Sequence, residues 1–153
     1  MAVKTANTST TASGNLTDVI TKGTVAGLVG GTIFGVQMTV AGMLPMVADM
    51  IGSSSIVVGY ILHMLISAFI GATFALLADR LPATLPTWPT AVGAGAVWGI
   101  VWWVLGALII MPTVLGMGEM VLEVGDPQLN SLAGHISFGI VTAAFYVLIR
   151  DRS

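Results

Sequence analysis

The sequence contains no cysteine. That absence excludes disulfides, thiolate metal sites, iron–sulfur clusters, a cysteine nucleophile and covalently attached haem. Charge is nearly as scarce: 8% of the 153 residues are charged, against about a quarter in a soluble domain. Five basic residues and a formal net charge of −2 leave no footprint for a nucleic acid. The long apolar stretches hold no Asp or Glu, so neither paired carboxylates nor a hydrolytic triad can assemble within them. The chain therefore reads as a non-enzyme.

What remains is apolar. Hydrophobic residues make up 56% of the chain, and the mean hydropathy is +0.96. Four stretches approach or exceed the roughly 20 residues that a helix needs to cross a bilayer. They run from Gly23 to Leu44, Ile56 to Ala78, Ala91 to Met111 and Leu129 to Ile149. The expected fold is all-α, a bundle of four transmembrane helices forming one domain over residues 18–152. Residues 1–17, rich in Ser, Thr, Ala and Asn, read as a disordered tail and not as a cleavable signal peptide.

The basic residues set an orientation. Lys4 and Lys22 precede the first stretch, Arg80 lies between the second and third, and Arg150 and Arg152 follow the fourth. The two remaining connections carry Asp49, Glu119, Glu123 and Asp126 and no Lys or Arg. By the positive-inside rule both termini face the cytoplasm, in the cell membrane. The expected partners are the lipid bilayer, and other membrane subunits or further copies of the chain.

Two glycine stripes suggest close helix packing. Gly23, Gly27, Gly31 and Gly35 recur every fourth residue in the first stretch, and Ala91, Gly95 and Gly99 do so in the third. One constant offset maps Gly27, Gly31 and Gly35 onto Ala91, Gly95 and Gly99. Leu44-Pro45 corresponds to Met111-Pro112, and Asp79-Arg80 follows His63 at the spacing by which Asp151-Arg152 follows His135. The pattern is a tandem repeat of helical hairpins, one over about 20–80 and the other over about 91–152. Proline is expected to end the first and third helices, at Pro45 and Pro112.

The two histidines of the chain, His63 and His135, fall at corresponding places in the two halves. At helical pitch each ring lies about 24 Å from its basic anchor, in the outer third of a core about 30 Å thick. Both sit on small-residue stripes, Gly59-His63-Ser67-Gly71 and Ser131-His135-Gly139-Ala143, so both are expected to point into the bundle. Three readings stand. The plainest is a hydrogen bond from each imidazole to a neighbouring helix, with no cofactor at all. A second makes the pair axial ligands of haem b between the halves. A third adds the methionines near that level, Met43, Met46, Met64 and Met111 foremost, as a thioether–imidazole set for copper. Methionine is also ordinary adaptable packing material. A transporter or channel is the alternative function, and would require an oligomer, because the middle of each stretch is nearly all apolar.

The Gly-rich first stretch, L-P-M, G-x-x-x-H, W-G-I-V-W-W and the final G-H-I-S-F-G resemble small four-helix integral membrane proteins of prokaryotes, halophilic archaea included. The resemblance covers about residues 20–150. It implies a topology and carries no activity or site residue with it.

Overall fold

The computed structural model describes residues 9–80 and 88–150, with side chains from Leu16 onward. All regular structure among the described residues is helical. The elements are α1 (Ser9–Val40), α2 (Leu44–Asp49), α3 (Ile56–Arg80), α4 (Trp88–Trp102), a π-helical segment (Trp103–Ile110), α5 (Met111–Val114), a 3-10 turn (Gly118–Met120) and α6 (Asp126–Arg150). Four helical stretches are long and apolar enough to cross a membrane: Leu16–Val40, Ile56–Arg80, Trp88–Val114 and Asp126–Arg150. The third runs unbroken from α4 through the π segment into α5. The first helix begins at Ser9, inside the segment read from sequence as a tail. Pro82, Pro86 and Asp151-Arg152 lie outside the described residues.

Local chemistry explains where these helices stop, and proline is not always the cause. At the end of α1, Gly42 takes φ +67°, and the Met43 N–H donates to the Met38 carbonyl at 2.9 Å. Glycine bears that left-handed backbone without a Cβ penalty, and the six-to-one bond closes the helix. Pro45 then sits in the first turn of α2, where its missing N–H has no intrahelical acceptor to serve. So Pro45 starts a helix instead of ending one. Pro112 likewise does not close the third helix, which continues to Val114. Lacking an N–H, Pro112 cannot serve the Leu108 carbonyl one turn back. The Leu122 N–H of the following loop serves it at 2.9 Å.

The first residues of α3 and α6 are held by side chains. Ser55 precedes α3, and its hydroxyl accepts from the Val58 N–H at 3.5 Å. Before α6, the Gln128 side chain reaches back to the Gly125 N–H at 3.1 Å. The capping position therefore falls on Gly125. Asp126 instead adds its negative charge to the first turn, where the helix dipole favours it.

Glycine sets the antiparallel contacts within each hairpin. Gly23, Gly27 and Gly31 on α1 face Ala75, Gly71 and Ser67 on α3. A Cβ on Gly27 would stand 2.7 Å from the Gly71 Cα, a backbone atom that cannot step aside. On α4, Gly95 faces Gly139 and Gly99 faces the His135 backbone of α6 in the same manner. Gly35 meets the rings of Tyr60 and His63.

The hairpins join along one seam. The second face of α1 lies against α6: Gly30 meets Phe138 and Thr142, and the Phe34 ring lies over Gly134. Ser137 Oγ, 3.2 Å from Gln37 Oε1, ties the same two helices. No comparable backbone contact joins α3 to α4. These two meet through rings, Phe69 with Trp102 at 6.1 Å and Phe74 with Trp98 at 6.0 Å between centroids.

The two ends of the bundle differ in charge. At one end Lys22 pairs with Asp18 at 2.8 Å and donates to the Arg150 carbonyl at 3.0 Å, joining α1 to the end of α6. Arg80 closes α3 at the same end. The opposite, acidic end carries α2, α5 and the loop bearing Glu119 and Glu123.

Candidate functional site: a cavity between the hairpins

Because α3 and α4 stay apart, a cavity of about 580 Å³ remains between the hairpins in the acidic half of the bundle. Ile66, Phe69 and Ile70 of α3 form one wall, and Trp102, Gly106, Ala107 and Ile110 the other. The π segment supplies most of that second wall, and such wide turns recur at functional sites. Met43, Met46, Val47 and Met50 around α2 roof it, while Phe34 and Met38 of α1 form its back. His63, Gln128, Ser131 and His135 bring polar atoms into a lining that is otherwise nearly all apolar.

Each imidazole has one nitrogen committed to a backbone carbonyl. His63 Nε2–H donates to the Gly31 carbonyl of α1 at 2.9 Å. His135 Nδ1–H donates to the Ser131 carbonyl one turn back at 2.8 Å, with Ser131 Oγ 3.2 Å from the same nitrogen. A carbonyl only accepts, so the proton in each neutral ring is assigned to the bonded nitrogen. His63 Nδ1 and His135 Nε2 are left as lone-pair acceptors, with no partner among the described residues. His63 is buried at 6% exposure, and His135 is half-buried.

Two aromatic residues complete the polar geometry. Phe34 packs edge-on against both imidazoles, with centroids 5.3 Å from His63 and 4.8 Å from His135. Trp102 stands in the wall, and its indole N–H, like that of Trp98 one turn earlier, is buried with no acceptor among the described residues. The neighbouring Trp103 is already satisfied, donating to the Gln128 carbonyl at 2.9 Å.

Of the residues singled out from sequence, His63, His135, Met43, Met46 and Met111 line this one cavity. Met64 does not. Its sulfur lies 3.5 Å from where a Cβ on Gly31 would stand, in the α1–α3 interface. The reason is helical phase: Met64, next to His63, is turned about 100° away from it. Phe34, Met38, Ser131 and the π wall were not foreseen. Ser131 could have been, since it stands one turn before His135 on the same face. Phe34 could also have been, because Gly30 and Phe34 form a second stripe beside the glycine stripe of α1.

The lining discriminates among occupants. Phe34 packs about equally close to both imidazoles. Among the described residues no three His, Cys, Asp or Glu side chains cluster as ligands for a metal. A cavity of this volume falls in the range of sites for small organic molecules, about 300–1,000 Å³.

No protein-family model, curated protein or solved structure matches the chain. Fold and site together define a class: an all-helical protein with four helices of membrane-spanning length and an apolar, histidine-bearing cavity between two hairpins.

Proposed function

We propose that this chain is a four-span protein of the cell membrane, with both termini cytoplasmic, made of two tandem hairpin repeats. It acts as a non-enzymatic membrane subunit that holds a small ligand between His63 and His135. The observation that carries this reading is that both histidines line one cavity, each with a ring nitrogen left over. Conserving helix packing alone would need neither the cavity nor the spare lone pairs.

Repeat and orientation have their own support. Gly31 opposes Ser67 and Gly95 opposes Gly139, and these are corresponding pairs under the offsets read from sequence. Gly35 with His63 and Gly99 with His135 correspond as well. Lys22, Arg80 and Arg150 gather at one end of the helices, as the positive-inside rule requires of a cytoplasmic face.

The test is to purify the protein and record its absorption spectrum, metal content and solvent-extractable small molecules. The expected result is a stoichiometric small molecule or ion that is depleted in the His63→Ala/His135→Ala variant, with that variant still monodisperse. A wild-type protein that carries nothing, and whose melting temperature no added lipophilic compound or metal raises, would contradict the reading.

A further inference from the structure

The chemistry of the cavity narrows what it holds, provided the ligand-binding reading above is right. We infer that its ligand is a membrane-soluble aromatic alcohol of the hydroquinone type, its ring hydroxyls bonded to the spare nitrogens of His63 and His135 and its tail left in the lipid.

Four observations converge on that class. First, the spare atoms, His63 Nδ1 and His135 Nε2, are both acceptors, so the ligand must bring donors. Second, the rest of the lining is nearly all apolar, so those donors must sit on an apolar body. A ring hydroxyl supplies such a donor to an imidazole. A bare metal ion would satisfy the imidazoles and leave an apolar cavity of about 580 Å³ unfilled. A phospholipid acyl chain would bring no donor.

Third, aromatic side chains stand among the apolar residues of the lining. Phe34, Phe69 and Trp102 present aromatic surfaces that suit a planar head group. Fourth, the cavity opens on the flank of the bundle. Leu65 and Phe69 line it yet are 64% and 60% exposed, so the rim between α3 and the π segment is apolar. In a membrane that flank faces acyl chains, and a ligand arriving through it must itself be lipid-soluble. The roof of α2 methionines separates the same space from the acidic end, and thioethers adapt to ring shape.

The experiment is a titration of the purified full-length protein in detergent with a short-tailed 1,4-hydroquinone, read by quenching of tryptophan fluorescence. The control ligand is the dimethyl ether of the same compound, which keeps ring and tail but has no donor. Saturable binding of the hydroquinone is expected, with the ether at least about tenfold weaker, the worth of one hydrogen bond. His63→Phe and His135→Phe, which keep a ring and lose the acceptor, are each expected to weaken the hydroquinone about tenfold and leave the ether unchanged.

Equal affinity of hydroquinone and ether in the wild type would overturn the inference, and that comparison requires no variant to fold. A Soret band or stoichiometric copper, lost in the histidine variants, would also overturn it while upholding the cavity as a binding site. If no probe binds and Gly106→Phe, which fills the cavity, changes nothing measurable, the inference and the reading beneath it both fall.

Discussion

The two seams between the hairpins are built from corresponding helices and differ in almost every contact. Along α1 and α6, Gly30 meets Phe138, and Phe34 lies over Gly134. Between α3 and α4, Trp98 meets Phe74 and Trp102 meets Phe69. A ring over a glycine lets backbones approach. A ring against a ring, as at both α3–α4 contacts, holds them apart. The closed seam gives the bundle its cohesion, and the open one leaves the histidine cavity. The two seams thus differ in the size of the side chains that meet there.

Breaking the contacts that keep backbones together should have the largest effect. Gly27→Leu drives a branched side chain into the backbone of Ser67 and Gly71. The protein is expected to lose its monodisperse peak on size exclusion, a destabilisation above about 3 kcal/mol. Next comes Phe34→Ala, which empties the closed seam and should cost about 3 kcal/mol, seen as a lowered midpoint in thermal unfolding. Gln37→Leu removes only the bond to Ser137, and about 0.6 kcal/mol is expected from the same measurement. Gly106→Ala tests the open side. No atom lies within 4 Å of the added Cβ, so the melting midpoint should stay where it is or rise slightly. Comparable losses at Gly106 and Gly27 would show that the seams are not different in kind.

How much of this was legible in the sequence follows the same division. Helix number and the close faces of the hairpins could be read because apolar length and glycine spacing are periodic signals. Helix ends could be read only in part. Pro45 and Pro112 looked like terminators, but the chain had already turned at Gly42, and the Leu122 N–H relieved the carbonyl that Pro112 left open. The pairing of His63 and His135 in one cavity followed from their matched positions. The cavity itself did not, because it depends on which rings of α3 and α4 meet. That is a tertiary comparison, which no window of one helix contains. Met64 shows the converse error, since nearness in sequence to His63 placed it at the right depth and on the wrong face.

The contrast between the seams can be measured directly, because the absence of cysteine makes introduced pairs unambiguous. One pair, Gln37→Cys with Ser137→Cys, spans the closed seam where the native side chains already touch at 3.2 Å. The pair across the open seam is Trp102→Cys with Phe69→Cys, whose native rings meet at 6.1 Å between centroids. A disulfide needs Cα atoms within about 7 Å. Under mild oxidation in membranes, the first pair should cross-link nearly completely and the second should not. Equal cross-linking of both pairs would mean that α3 and α4 close as α1 and α6 do, and that no cavity stands between His63 and His135.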